Sequence, residues 1–321
     1  MPAQEDRWAG PFSIRSEISP RVSAKETIGS DRKNPKVVRW GFFITCPPEN
    51  SSQTNVKAWA ESDTSKKPMD TITFEKSEQK RPILEWETSA RTVSYVFELN
   101  PVKRKLTRGE ATEPVEPLSK EKQKQYLSES KSLDWKRGEF QSWMRKNDAF
   151  RKEGERDLAF AARIQKMILS NSALKRPELK ENYNGTANTV SRMINLMGTE
   201  QESCGTRSAI YTCIMRANKI PARMRFGRWA GAGSTGNPYN VHVKTDFYSE
   251  GIGWVNVEFA EEADPDSPAG AFGADGDFIT YHEDMDMKIQ GVDVPFLQWG
   301  VAIPKDGSKP MINEWIVQPI L

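Results

Sequence analysis

The chain has 321 residues, 37% hydrophobic and 28% charged, and its 46 basic and 44 acidic side chains leave a net charge of +2. That length suits about two domains. The balanced charge removes any electrostatic demand for nucleic acid, and no run of about 18 apolar residues codes a membrane span. Three cysteines, Cys46, Cys204 and Cys213, make no disulfide framework.

Residues 1–36 are polar, without a sustained period, and read as a poorly ordered arm. "MPAQEDRWAG" has no apolar signal core. A Met-Pro-Ala start fits a trimmed mature terminus with an added methionine, in which case the protein is secreted or periplasmic. Over residues 37–105, "VVRWGFFIT", "VKAWAE", "TITFE", "ILEWE" and "TVSYVFELN" are β-branched and aromatic runs between polar turns, which predicts a small all-β sandwich. Residues 106–150 are strongly charged and read as a partly helical connector.

From residue 151 to 321 the expectation is an α+β domain, helices first and antiparallel strands after. "ERDLAFAARIQKMIL" puts Phe160, Ala161, Ile164, Met167 and Ile168 on one helical face, and "TANTVSRMINLM" predicts a second helix. In "ESCGTRSAIYTCIMRANKIPAR" the apolar residues Ala209, Ile210, Cys213, Ile214 and Ala217 recur at helical spacing, Ser203 is a good N-cap and Pro221 ends the element. Cys204 therefore falls in the first turn, where the helix dipole and open N–H groups favour thiolate. Cys213 sits on the apolar face, where a buried structural thiol is the default. The two lie roughly 13 Å apart along the axis, too far to bridge. After Pro221, "RMRFGRW", "NVHVKTDFY", "GWVNVEFA", "DFITYH", "FLQWGVAI" and "EWIVQP" read as strands.

Only two histidines exist. His242 lies in "NVHVKTDFYSEGIGWVNVEFA", which reads as a hairpin with Ser249, Glu250 and Gly251 as a three-residue loop. That loop sets Tyr248 opposite Ile252 and His242 opposite Glu258, with Val243 and Val257 sharing the apolar face. A carboxylate beside an imidazole, and a thiol at a helix mouth, are the parts of a Cys–His–acid triad. Taken separately, each part is more often a surface ion pair or a structural cysteine.

The order of these motifs resembles the transglutaminase-like superfamily of papain-type thiol enzymes, in its bacterial-type members. The resemblance is carried by "CGTRSAIYTCIMRANKIPAR" and "NVHVKTDFYSEGIGWVNVE": a Cys-Gly opening a helix, an Ile-Pro-Ala-Arg after it, a histidine strand, and a Gly-Trp-Val strand closing on a carboxylate. It extends over about residues 150–303. It implies a cysteine-proteinase-type fold with helices packed on an antiparallel sheet. It also implies Cys204 as nucleophile, His242 as general base and then acid, and Glu258 as orienting carboxylate. The expected reaction is acyl transfer or hydrolysis at a peptide or protein carboxamide through a thioester, with an amine acceptor in the cross-linking case and no cofactor. A noncatalytic transglutaminase-like module that binds peptide or glycan is the alternative. Glu258 stands where the family usually has Asp, Lys244 where many relatives have Trp, and Glu202-Ser203 where bacterial relatives commonly have Gly-Asp.

Other motifs carry less. "GAGSTG" (residues 231–236) matches G-x-G-x-x-G but runs into a strand, not a helix, so it reads as a loop and not a nucleotide site. The acidic residues Asp264, Asp266, Asp275, Asp277, Glu283, Asp284 and Asp286 read as a solvated loop, because Pro268 and Ala269 break the calcium-loop pattern. His282 lies among them, and no metal site is expected. Arg223 and Arg225 are expected to pair structurally with a carboxylate.

Overall fold

The computed structural model describes residues 7–30, 40–45, 47–62, 66–68, 83–88, 92–111, 114–172, 189–230, 241–259, 272, 276–289, 292–294, 301–304 and 310–319. The chain is α+β with antiparallel strand pairing, as the sequence predicts. Fifteen strands are described: β1 (Phe12–Ile18), β2 (Val22–Ser30), β3 (Trp40–Thr45), β4 (Gln53–Ser62), β5 (Lys66–Pro68), β6 (Ile83–Thr88), β7 (Thr92–Arg108), β8 (Ala222–Trp229), β9 (Val241–Ser249), β10 (Gly253–Val257), β11 (Phe278–Glu283), β12 (Met287–Ile289), β13 (Val292–Val294), β14 (Val301–Pro304) and β15 (Pro310–Pro319). The helices are α1 (Lys120–Leu127), α2 (Gly138–Lys146), α3 (Asp157–Asn171), α4 (Val190–Met193) and α5 (Cys204–Ala217).

One sheet has the order β15-β2-β7-β4-β5, with β1 also on β7. A second is β14-β3-β6, a third β10-β9-β8-β11, and β12 pairs β13. Two expectations change here. The polar arm holds two strands, β1 and β2, and β2 is paired on both sides, to β7 and to β15. Its inward positions are Ala24, Glu26 and Ile28, so a buried carboxylate interrupts the apolar alternation that marks a strand. The expected helix over "TANTVSRMINLM" is four residues long, and Gly198 takes a left-handed φ of 72° after it. "TITFE", "GAGSTG", Cys46, Asp264, Asp266 and Asp275 lie outside the described residues.

Two compact units partition the chain, and not at the expected linear boundaries. One comprises Met1–Ser16, Arg104–Arg225 and Val243–Asp275, and the other Glu17–Lys103, Phe226–His242 and Gly276–Leu321. The C-terminal strands β14 and β15 thus belong with β2 and β3, which they pair, instead of closing the helical domain.

The first unit is built on α3 and α5. Leu158, Phe160, Ala161, Ile164 and Ile168 of α3 and Ala209, Ile210, Tyr211, Cys213 and Ile214 of α5 are buried, and the Tyr211 hydroxyl donates to the Ala161 carbonyl at 3.2 Å. Burial pushes that phenol well above its usual range. The end of α5 is fixed by Arg216, whose Nε and Nη2 donate to the Ala222 carbonyl at 3.0 and 2.7 Å, so the helix turns directly into β8.

The second unit packs Ala24, Ile28, Ala60, Val93, Tyr95, Phe97, Leu99, Ile279 and Tyr281 into one core. Tyr95 meets Phe97 edge-on at 4.0 Å, and Phe97 meets Tyr281 at 5.0 Å. An ion pair of Arg228 with Glu26 at 2.7 Å, both fully buried, lies in this unit. Burial first, and then the Glu26 charge, raise the Tyr281 phenol well above its usual value. Gly227 lies so close to β11 that a Cβ there would collide with the Ile279 carbonyl oxygen.

Candidate active site

The approach to Cys204 is held from both sides. The fully buried Glu202 carboxylate accepts from Gly198 N at 2.6 Å, from Arg207 Nη1 at 2.9 Å and from Ser172 Oγ. Ser203 has extended backbone (φ −140°, ψ 170°), and its Oγ accepts from Thr206 N at 3.2 Å. This is the N-cap the sequence predicts, and it starts α5 at Cys204 itself. Cys204 is half-buried, Cys213 is fully buried, and neither forms a disulfide. Glu202 and Ser203 are therefore both working parts of the turn.

The first turns of α5 lie against β9 at the residue that follows His242. Ser208 Oγ donates to the Val243 carbonyl at 3.3 Å, and Thr245 Oγ1 to the Ser208 carbonyl at 3.4 Å. A Cβ on Gly205 would meet Val243 Cγ2 at 3.9 Å, so the helix seats closely on the strand. His242 itself is half-buried. Its ring stacks on Trp229 at 4.9 Å with planes 24° apart, and stands edge-on to Phe278 at 6.2 Å. Two aromatic rings thus fix the imidazole plane. Sequence reasoning missed Trp229 and Phe278. Their signal was an aromatic ending one strand and opening another, with the histidine at the start of a third strand of the same sheet.

Glu258 is not opposite His242. The hairpin register is Gly253↔Ser249, Trp254↔Tyr248, Val255↔Phe247, Asn256↔Asp246 and Val257↔Thr245, two residues away from the expected one. The turn carries two left-handed glycines, Gly251 (φ 74°) and Gly253 (φ 92°), where the expectation used one, and Ile252 N donates to the Ser249 carbonyl at 3.1 Å. The loop is therefore Glu250, Gly251 and Ile252. Continued by one step, the register brings Lys244 to Glu258, and Lys244 Nζ is 3.5 Å from Glu258 Oε2. Glu258 Oε1 accepts from Phe259 N at 3.0 Å, and its carbonyl accepts from Gln165 Nε2 at 2.8 Å.

Nearer the turn, the same hairpin holds a second charged group. Asp246 Oδ2 accepts from Arg223 Nε at 3.0 Å and Nη2 at 2.8 Å, while Oδ1 is 3.0 Å from Arg225 Nη2. The Arg223 guanidinium lies 4.1 Å over Trp254, and Arg225 also donates to Asn256 Oδ1 at 2.9 Å. The structural reading of both arginines holds. His282 is buried and stacked on Phe226 at 4.7 Å, and Glu283 Oε1 accepts from Asn50 Nδ2 at 2.9 Å. Among the described residues, no group of three or more His, Cys, Asp or Glu is arranged to hold a metal, and no helix is long and apolar enough to cross a membrane.

The fold is similar to that of a Cytophaga hutchinsonii protein described as a candidate cysteine protease. That match has 13% identity and a TM-score of 0.53, and it covers 96% of this chain and 91% of that one. The periplasmic domain of TgpA from Pseudomonas aeruginosa is also similar, with 11% identity, 79% of this chain and 89% of that one covered, and a TM-score of 0.36. No curated protein sequence matches the chain. A family model described as the transglutaminase-like superfamily matches residues 146–259, the segment that runs from the end of α2 through Cys204 and His242 to just past Glu258. Residues 146–259 of this chain are a domain of the transglutaminase-like superfamily.

Proposed function

We propose that the protein is a thiol-dependent enzyme that transfers or hydrolyses acyl groups at peptide or protein carboxamides. Superfamily membership supports thiol chemistry in general. The carrying observation is local: α5 opens at a half-buried Cys204, and its first turns seat on Val243, the neighbour of a histidine whose ring is fixed by Trp229.

In this reading Cys204 attacks the carbonyl as thiolate, favoured by the first-turn N–H groups. His242 takes the thiol proton and returns it to the leaving ammonia or amine, which frees the thioester. Water or a second amine then attacks the thioester, with His242 again as base, and the thiol is restored. The backbone N–H of Cys204 is the natural first oxyanion donor. Glu258 orients the imidazole from a diagonal position across the hairpin, a span that long side chains bridge and that the extra methylene of Glu over Asp suits. Resolution by an amine makes the enzyme a cross-linker, and resolution by water makes it an amidase or cysteine peptidase.

The test is alkylation of the native protein by iodoacetamide between about pH 5 and about pH 9, with each cysteine followed by peptide mass spectrometry. Cys204 is expected to react with a midpoint well below the ordinary thiol value of about 8.5, and His242→Ala to remove that depression. Cys204→Ala is expected to abolish turnover of glutamine-containing peptides while the fold persists. A Cys204 that titrates as an ordinary thiol, whatever stands at position 242, removes the enzyme reading. One observation favours the second reading, a noncatalytic peptide- or glycan-binding module: the Glu258 carboxylate is engaged by Lys244. That module would keep ligand affinity in Cys204→Ala.

A further inference from the structure

Lys244 stands out as a charged side chain that is only 2% exposed, on a strand that continues from a proposed catalytic histidine. Burying an ammonium is costly unless it is paired, so the position is either a defect or an arrangement. The arrangement is visible. Lys244 Nζ lies 3.5 Å from Glu258 Oε2, a buried oxygen on a side chain that is 19% exposed overall. This distance is within ion-pair range yet longer than the roughly 2.7–2.9 Å of a tight charge-assisted hydrogen bond. The other oxygen, Oε1, is occupied by Phe259 N at 3.0 Å. Glu258 is thus shared among donors and not captured by one.

Strand alternation gives the second part. Residues two apart on a strand project to the same face, about 6.6 Å apart along it, so His242 and Lys244 share a face of β9. By the same rule Asp246 belongs to that face, but its charge is already matched by Arg223 and Arg225. Among the described residues, the titratable groups at the corresponding element ends include Cys204, which opens α5, Lys244 on β9, Glu258 just past β10 and Asp277 just before β11. Trp229 of β8 and Phe278 of β11 contribute uncharged rings.

We propose that Lys244 is a positioning residue of this site: its ammonium holds one oxygen of Glu258 and so sets how much of that carboxylate's charge His242 receives. This rests on the proposed roles of His242 and Glu258. Without Lys244, Glu258 turns wholly to the imidazole and stabilises the imidazolium more strongly. With it, a larger share of the imidazole stays neutral at neutral pH, the form that accepts a proton.

The experiment is NMR titration of the imidazole signals, which is tractable because the chain has only two histidines and His282→Asn assigns the second. Lys244→Met is expected to raise the His242 midpoint by about one pH unit, a tenfold change in its protonation ratio. Lys244→Arg, which keeps the charge and reach, is expected to leave it within about 0.3 of wild type. In a Glu258→Gln background, Lys244→Met is expected to shift it by less than about 0.3. Equal shifts with and without the Glu258→Gln change mean direct repulsion alone and overturn the positioning role. No shift, or a Lys244→Arg protein that behaves like Lys244→Met, overturns it too. If Lys244→Met does not fold, Lys244→Gln carries the same comparison. Cys204 alkylation in His242→Ala decides the thiol reading separately: rates independent of His242 remove that reading, while the titration still decides Lys244.

Discussion

The β9–β10 hairpin treats its two carboxylates in opposite ways. Toward the turn, Asp246 has no exposed surface, and both of its oxygens are met by guanidinium groups at 2.8–3.0 Å. At the open end, Glu258 keeps partial exposure, a backbone donor and an ammonium at 3.5 Å. A charge cut off from solvent and met by a guanidinium at each oxygen has little capacity left for substrate chemistry, and its geometry is fixed. A charge held more loosely can change partners as a proton moves nearby. The difference teaches where this fold places rigidity and where it leaves choice: rigidity lies beneath the hairpin turn, and choice lies at the end of β9 that carries His242.

The strongest way to break the comparison is Asp246→Ala. It leaves Arg223 and Arg225 buried without their carboxylate, a change that typically costs about 3–5 kcal/mol. Urea unfolding is expected to show this loss, together with a displaced Trp254 that changes tryptophan emission, because Arg223 no longer holds its place under that ring. A loss below about 1 kcal/mol would mean that the turn-side pair is dispensable.

Glu258→Gln comes next. The partner it deprives is the buried Lys244, but the group is partly solvated and the amide oxygen remains an acceptor, so about 1–2 kcal/mol is expected in the same urea assay. Its larger consequence is on chemistry. Cys204 alkylation at neutral pH should slow markedly while the fold persists, whereas Asp246 variants should lose both together. Equal stability losses at the two positions would erase the distinction between them.

Sequence made α5 legible because its signals are local. Ser203, the apolar spacing and Pro221 all lie within or beside the element, and the structure starts and ends the helix where they indicate. The hairpin was legible as two strands but not in register, because one glycine with positive φ closes a turn and a second one re-sets it. Strand β8 looked like an ordinary alternating strand, yet Arg223, Arg225 and Arg228 are all buried, and the acids that make this tolerable are distant in sequence: Asp246 and Glu26. The same Glu26 hid β2 inside an apparently polar arm. Buried ion pairs therefore erased the apolar pattern at both of their ends. The sequence proposes Cys204, His242 and Glu258 as a site, but the contacts that hold each of them are not legible there. Trp229, Glu202 and the contact of Lys244 with Glu258 depend on partners that no spacing rule reports.

A third carboxylate, Glu155 at the entry to α3, sharpens the comparison from the scaffold side with the smallest expected effect. Arg163 Nε and Nη2 donate to its two oxygens at 2.7 and 2.8 Å, and Lys152 N adds a bond at 3.0 Å. Burial works against ionisation there, but the Arg163 hydrogen bonds, the Lys152 amide and the nearby positive charges outweigh it and hold the carboxyl below its usual 4.5. Because the folded value is depressed, the contribution to stability is present above the unfolded value and disappears as pH falls through the folded one. Glu155→Gln is therefore expected to cost about 1 kcal/mol at neutral pH, and the gap from wild type should close as pH drops below 4.5. Urea midpoints measured from about pH 7 down to about pH 3 check this directly. A gap that stays constant into acid would show that Glu155 acts through packing. Fully engaged carboxylates in this fold would then not be primarily electrostatic, and the contrast drawn between Asp246 and Glu258 would need a different physical basis.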